Sequence, residues 1–167
     1  MNEAPAGLYR LERNLSRDEL IDELVALPQR MRDAVGTQDV ATLERQPTAD
    51  AWSAFDVCKH LRDVAQVYGM RFKWTILQDD AFFPNYDEDG WVANSPDRAS
   101  DVMQLIDELA SYRAETVRLL RSQPPEGWQR TGRHEVLGTV TLEPYVRHQV
   151  EHESQHLAQL RAALGLS

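Results

Sequence analysis

The sequence has one cysteine, Cys58, so no disulfide can form within the chain. A lone cysteine is typical of proteins that work in a reducing compartment. Residues 1–15 lack the apolar core of a signal peptide, and no apolar run approaches the ~20 residues of a membrane-spanning helix. These absences predict a cytoplasmic protein with no membrane partner.

The chain also lacks an excess of positive charge. Its 27 acidic residues outnumber 18 lysines and arginines, and the formal net charge is -9. Nucleic-acid binding depends on clustered basic side chains that neutralise phosphates. The composition therefore predicts no nucleic-acid partner. A hydrophobic content of 42% in 167 residues predicts a single domain over 1–167, with a core of its own.

Four segments have the apolar spacing of amphipathic helices. Ser16 with Glu19, and Ser53 with Asp56, have the spacing of helix-capping pairs. Pro28 interrupts the first segment, which predicts either a kink or the start of a second short helix. The predicted long helices cover about 16–36, 52–78, 99–122 and 141–164.

The connections between these helices differ in character. Residues 37–51 form a polar link, and residues 79–98, rich in Pro, Gly, Asn and Asp, predict a long irregular loop between helices two and three. Alternation near Val136 and Val140 predicts at most a small hairpin. The predicted fold class is all-α, a four-helix bundle, and such bundles hold metal sites between facing helices.

Three histidines of the last helix, His148, His152 and His156, are spaced four residues apart and share one face. The stripe spans two turns, about 11 Å, so neighbouring members can share one ion but all three cannot. The segment HESQH also matches the H-E-x-x-H pattern of zinc proteases. Such a site needs a third protein ligand, and no histidine, aspartate or glutamate follows His156. The sequence therefore disfavours a protease.

A third ligand must come from upstream of the last helix. His60, near the apolar face of the second helix, is the first candidate, and His134, just before the last helix, is the second. Two histidines from one helix and one from elsewhere leave a position open for water or substrate, which is typical of catalytic sites. Imidazole ligands suit zinc, nickel, copper or iron.

Several other residues near these histidines have two interpretations. Four polar residues either orient the histidine rings or serve as ordinary capping and surface groups: Asp56, Asp63, Glu153 and Gln159. Cys58 is interpreted as a core residue. The aromatic residues Trp52, Tyr86 and Trp91 either line a pocket mouth or pin the long loop, and we favour the second.

Three stretches together give the sequence a family resemblance. They are WSAFDVCKHLRD in the second helix, FPNYDEDGW in the loop, and LGTVTLEPYVRHQVEHESQHLAQL in the last helix. In this combination the chain resembles the DinB-like (YfiT-like) family of metalloenzymes over nearly its whole length. The resemblance implies a four-helix bundle, often a homodimer, in which His60, His152 and His156 bind the metal and His148 does not.

The resemblance also implies a function. Members with known activity mostly transfer or isomerise small-molecule substrates with a low-molecular-weight thiol, so we expect a thiol-dependent S-transferase that uses zinc, nickel or iron. Two alternatives stay open. One is a stress-response or binding module with a structural or vestigial metal site, and the other is a metal-dependent hydrolase with Glu153 or an aspartate as base.

Overall fold

Four long helices dominate the computed structural model, which describes residues 14–166. They are α1 (Arg17–Val35), α3 (Ala54–Leu77), α5 (Val102–Arg121) and α6 (Leu142–Ala163). Two short helices, α2 (Val40–Glu44) and α4 (Glu88–Asn94), lie in the connections, and single 3-10 turns cover Ala99–Asp101 and Gly127–Gln129. The predicted four-helix bundle is confirmed. No helix within the described range is long and apolar enough to cross a membrane.

Both predicted capping boxes form. At the start of α3, the Ser53 hydroxyl accepts a hydrogen bond from the backbone N–H of Asp56, and the Asp56 carboxylate accepts one from the backbone N–H of Ser53. This reciprocal pair satisfies N–H groups that the first helical turn leaves without partners. It fixes the first turn of α3 and with it the position of His60, one turn further on.

The sequence left open whether the first helix continues past Pro28. This residue lies inside α1, which runs without a break from Arg17 to Val35. The prediction of a second short helix beginning at Pro28 is therefore wrong. Buried side chains on both sides of the proline, including Leu24 and Met31, hold the helix against the bundle despite the missing N–H donor.

A small three-stranded sheet closes one side of the bundle. It consists of β1 (Phe82–Phe83), β2 (Thr131–His134) and β3 (Gly138–Thr141), in the order β1-β2-β3. The predicted hairpin is the antiparallel pair of β2 and β3. Strand β1 joins it in parallel, with Phe82 opposite Arg133 and Phe83 opposite His134.

Two connections are more ordered than the sequence predicted. The segment 79–98 is not wholly irregular, because it contains β1 and α4, and the polar link contains α2. Each short helix has its own aspartate cap: Asp87 accepts from the N–H of Gly90, and Asp39 accepts from the N–H of Thr42. These caps offset the poor intrinsic stability of helices of five to seven residues.

The buried apolar side chains form two clusters, one towards each end of the bundle. On α6, Val150 belongs to one cluster and Leu160 to the other. His152 and His156 fall between them. A polar layer thus separates the two halves of the core, and it is the place where the predicted ligands meet.

Candidate metal centre

His60 lies on α3 and its side chain is completely buried. Within residues 14–166, neither of its ring nitrogens has a hydrogen-bond partner. A buried polar atom without a partner costs on the order of 1–3 kcal/mol, so native proteins seldom retain one without a reason. The ring of His60 therefore marks a place where a further partner is expected.

His152 and His156 approach His60 from α6. Their spacing of four residues places them one turn apart, and their Nε2 atoms lie 3.1 Å from each other. Ring centroids are separated by 4.3 Å between His60 and His156 and by 5.2 Å between His60 and His152. Taken one per ring, nitrogen atoms of the three imidazoles all lie within 4.8 Å of one another.

The spacing of the two Nε2 atoms is informative about what the site can hold. Two nitrogens bound tetrahedrally to one ion at about 2.0–2.1 Å lie about 3.3 Å apart. The observed 3.1 Å is close to this value. The donor set therefore fits a divalent ion that favours imidazole, such as zinc, nickel or iron.

The side chain of Gln159 sets the orientation of the His156 ring. Its Oε1 lies 2.8 Å from Nδ1 of His156. Since an amide oxygen only accepts, Nδ1 donates the proton, and Nε2 keeps its lone pair for a ligand bond. Gln159 thus has the contact expected of an orienting residue, one of the two interpretations that the sequence left open.

The electrostatic environment keeps these imidazoles neutral. Burial lowers the pKa of His60 to about 2, with the neighbouring His156 and His152 adding to the effect. Burial also lowers the pKa of His152 to about 3 and that of His156 below its ordinary value. Neutral imidazole is the form that binds a metal, so the site does not need to lose protons at neutral pH.

One side of the cluster is covered by an aromatic ring. The centroid of Trp52 lies 4.9 Å from that of His60 and 5.9 Å from that of His156. Trp52 is therefore part of the site. In contrast, Tyr86 and Trp91 pack on each other at 4.8 Å, as expected for residues that pin the connection between α3 and α5.

Two predicted orienting residues have other partners. Asp56 caps α3 and forms an ion pair with Lys59 at 2.8 Å. Asp63 pairs with Arg62 at 2.7 Å. The capping interpretation thus describes Asp56, and the solvated-face interpretation of Asp63 is wrong because this residue is buried.

Glu153 is buried, although the sequence also allowed it a position on the surface. It is only 3% exposed and forms an ion pair with the buried Arg113, while Gln149 donates a second hydrogen bond at 2.7 Å. This carboxylate is committed to a buried network between α5 and α6. Its interactions argue against a role as the base of a protease-type site.

Glu88 is the carboxylate that does approach the histidines. It begins α4, and its Oε2 lies 3.9 Å from Nδ1 of His60. Burial raises its pKa above the ordinary value of a glutamate. A half-buried carboxylate with a raised pKa, close to a proposed ligand, has the properties of a general base.

A cavity of about 180 Å³ adjoins the cluster on the side of His152. Residues of α3, α6, the hairpin and the α3–α5 connection line it: Tyr68, Arg71, Asn85, Glu88, His134, Val136, Leu137, His148 and His152. His134 and His148 are therefore neighbours of the site and not members of the cluster. His134 accepts hydrogen bonds at Nδ1 from the N–H groups of Val136 and Leu137, and His148 Nε2 lies 2.9 Å from the Tyr68 hydroxyl.

Comparison with known proteins identifies the family. A family model described as the DinB superfamily matches residues 12–160. The chain belongs to the DinB superfamily. The family resemblance seen in the sequence is thereby confirmed.

Named relatives of this DinB-superfamily chain align along almost its whole length. YfiT of Bacillus subtilis, provisionally named a metal-dependent hydrolase, is 24% identical over 171 residues, which cover 98% of this chain and 96% of YfiT. OB0782 of Oceanobacillus iheyensis has the same provisional name and is 26% identical over 168 residues, covering 96% and 95% of the two chains.

Solved structures of similar proteins have the same fold. The structure of YfiT from Bacillus subtilis, described as having an unusual four-helix bundle topology, matches with a TM-score of 0.84 at 23% identity and covers 98% of each chain. TT2238, a four-helix bundle protein, matches with a TM-score of 0.61 at 21% identity, covering 88% of this chain and 99% of its own. At these identities the likeness shows the fold alone.

Sequence reasoning missed two residues that the DinB bundle brings to the site. Glu88 and Arg71 line the cavity, but neither stands out by spacing from the histidines. The run DEDG before Trp91 is a helix-start signal, and it could have predicted α4 and hence a defined position for Glu88. No comparable sequence signal marks Arg71.

Proposed function

We propose that this DinB-superfamily protein is a metal-dependent enzyme in which His60, His152 and His156 hold one divalent transition metal ion. The observation that carries the proposal is the completely buried His60 ring, whose nitrogens have no hydrogen-bond partner within residues 14–166 and which faces two α6 imidazoles. Three histidines leave at least one coordination position for a reactant. Zinc, nickel and iron all suit this donor set.

The reaction that we propose is the transfer of a low-molecular-weight thiol to an electrophilic small molecule. A bound divalent ion lowers the pKa of a thiol and holds it as the nucleophilic thiolate. Transfer forms a bond from the thiol sulfur to an electrophilic carbon and expels a leaving group. The thiol proton must therefore be accepted, and the Glu88 carboxylate beside His60 is placed to accept it.

The chain's own cysteine does not provide the nucleophile. Cys58, the only cysteine, is completely buried in the apolar core, and burial raises the pKa of its thiol to about 12. A group with this pKa is almost entirely protonated at neutral pH. A thiol reaction at this site thus requires a thiol from outside the chain.

A metal-dependent hydrolase is the second candidate. The provisional names of YfiT and OB0782 favour it. The position of Glu88 favours it as well, because a carboxylate near the metal site can take the proton of an attacking water. In this reaction Glu88 replaces Glu153, which is committed to Arg113.

Elemental analysis tests the metal site. The wild type and a His148→Gln control, altered one turn from His152, are expected to contain about one equivalent of metal, whereas His60→Ala, His152→Ala and His156→Ala lose it. Full metal content in His60→Ala would refute the ligand assignment. A wild type that holds less than about a tenth of an equivalent after reconstitution would refute both enzyme reactions.

A second experiment separates the two reactions. Cobalt-substituted protein is titrated with a panel of low-molecular-weight thiols, and the visible spectrum is expected to change on binding. If no thiol changes the spectrum and the protein cleaves small esters or amides without thiol, with loss of activity in His60→Ala, the hydrolase is correct. If the metal is present but its removal affects only thermal stability, the site is structural, as in the module alternative.

Three further expectations stay predictions. A homodimer, the absence of a nucleic-acid partner and a cytoplasmic location were predicted from the sequence and its family resemblance. Sedimentation equilibrium tests the first directly. That residues 1–167 form one domain is likewise a prediction.

A further inference from the structure

We infer that the cavity beside His152 binds a carboxylate group of the substrate through the guanidinium of Arg71. This inference rests on the proposed function, because it assigns the cavity to the substrate of the same metal site. It adds a substrate class, small molecules that carry a carboxylate, and a residue that selects them.

Arg71 is a buried cation that no described carboxylate contacts directly, although Glu88 lines the same cavity and the two charges attract each other. It lies in the C-terminal part of α3, is 3% exposed, and has no carboxylate within ion-pair distance in the described part of the chain. The other buried arginine, Arg113, forms an ion pair with Glu153. Buried charges are normally paired, because taking an unpaired charge out of water is costly. Arg71 is thus the exception.

The surroundings of Arg71 hold the guanidinium in place and leave donors available. Nη1 donates to the Tyr145 hydroxyl at 3.0 Å, and Nη2 donates to the carbonyl of Pro84 at 2.6 Å. The guanidinium carbon also lies 5.4–5.7 Å from three aromatic ring centroids, those of Tyr68, Phe83 and Tyr86. Of the five N–H donors of an arginine, the two bonds within residues 14–166 use two.

The cavity next to Arg71 offers further donors. Asn85, whose side chain carries an amide, is one of the residues that line it. His134 lines it too, and because its Nδ1 accepts two backbone N–H groups, its Nε2 carries the ring proton. A guanidinium with neutral donors around it matches the two oxygens of a carboxylate, which arginine binds in a bidentate manner.

The charges that line the cavity favour a monoanion over a dianion. Glu88 lines the same space, but it is directed to His60, and no ion pair joins it to Arg71 among the described residues. With one arginine and one glutamate, the cavity has little positive charge to offer a doubly charged phosphate. A volume of about 180 Å³ holds one end of a substrate, with the remainder towards His152.

The test measures binding of acetate to the metal-loaded protein by the shift of its thermal midpoint. Acetamide serves as the neutral analogue, and inorganic phosphate as the competing anion. We expect acetate, and not acetamide, to raise the midpoint of the wild type and of Arg133→Gln, a control at an exposed arginine of β2. Arg71→Gln is expected to bind acetate at least tenfold more weakly, and Arg71→Lys to lie between the two.

Three results would overturn the inference. They are the absence of any acetate shift in the wild type, an equal shift with acetamide, and an unchanged acetate affinity in Arg71→Gln. Tighter Arg71-dependent binding of phosphate than of acetate would replace the carboxylate by a phosphate. If the Arg71 variants do not fold, the comparison of acetate with acetamide in metal-free wild type decides the matter, because acetate then has no metal ion to bind.

The same measurement on His60→Ala separates this inference from the proposed function. Arg71-dependent acetate binding that survives in this variant locates the anion at the arginine and not at the metal. If the wild type binds no metal but binds acetate through Arg71, the proposed enzyme function is wrong and the carboxylate site at Arg71 is correct. If the wild type binds metal and replacement of Arg71 does not change the affinity for acetate, only the carboxylate site is wrong.

Discussion

The side-chain oxygen of Gln159 lies 2.8 Å from Nδ1 of His156, one helical turn back on α6. This contact decides which nitrogen of His156 carries the proton and directs the lone pair of Nε2 towards His152 and His60. Partners that orient a ligand ring in this way typically affect metal affinity by about 10–100-fold.

Replacement of Gln159 tests this relationship. Gln159→Ala is expected to weaken metal binding by about 10–100-fold while the fold is retained. Gln155→Ala is the matched control, because Gln155 is exposed and donates to Glu151 on the outer face of the same helix. Competition with a chromophoric chelator measures both affinities, and equal affinities for the two variants would contradict the role of Gln159.

Glu88 is expected to matter for turnover and not for metal content. Glu88→Gln keeps the shape of the side chain but removes the proton acceptor beside His60, so activity should fall by about 10²–10⁴-fold. The assay is substitution of the halide of an alkyl or aryl halide by a thiol, or ester hydrolysis if that reaction is found. Loss of metal from Glu88→Gln would instead indicate that Glu88 is a fourth ligand.

Arg113 and Glu153 form a buried ion pair, and we expect removal of either side chain to destabilise the bundle. Arg113→Ala leaves a carboxylate buried without its cation and should lower the free energy of unfolding by about 3–5 kcal/mol. Arg32→Ala removes a partner of the largely exposed Asp107 and should cost less than about 1 kcal/mol. Urea unfolding of the metal-free variants measures both, and similar losses would show that the buried pair contributes no more than a surface one.

The metal-free protein should lose stability as the pH falls below about 6.5, the pKa of an unfolded histidine. Burial lowers the folded-state pKa of His60 to about 2, of His152 to about 3 and of His148 to about 4. The unfolded chain therefore takes up protons that the folded chain does not, and each group costs up to about 1.4 kcal/mol per pH unit.

Thermal midpoints between pH 7.5 and 5 measure this dependence, because most carboxylates titrate below that window. His148→Gln removes one of the three groups and replaces no proposed ligand, so its thermal midpoint should fall less steeply with decreasing pH. A midpoint that rises on acidification would contradict the depressed histidine pKa values.

Much of the bundle could be predicted from local sequence signals. The capping boxes at Ser16 and Ser53 and the apolar spacing that follows them are local, so the starts of α1 and α3 were correct. The pairing of β1 with β2 was not predictable in this way, because Phe82 and Arg133 are about fifty residues apart and neither segment has a strong strand pattern. Tertiary contacts alone create that pairing.

In the candidate site, too, local sequence signals predict some residues, whereas tertiary packing places the others. Helical periodicity alone places His152 and His156 together, and the pattern of α3 directs His60 towards them. Glu88, Trp52 and Arg71 reach the site through the packing of whole segments. The sequence could not separate Glu153 as a surface residue from Glu153 as a buried one, because that depends on Arg113 of the neighbouring helix.

The short parallel pairing of β1 with β2 has a mechanical consequence. Backbone N–H groups of Arg133 and Glu135 donate to the carbonyls of Ala81 and Phe83, so the α3–α5 connection and the hairpin are tied together at the wall of the cavity. Neither segment can swing outward like a flap unless these bonds break. The wall that carries Asn85 and His134 is therefore preorganised, and a reactant that enters loses its own freedom of motion without first having to order a loop.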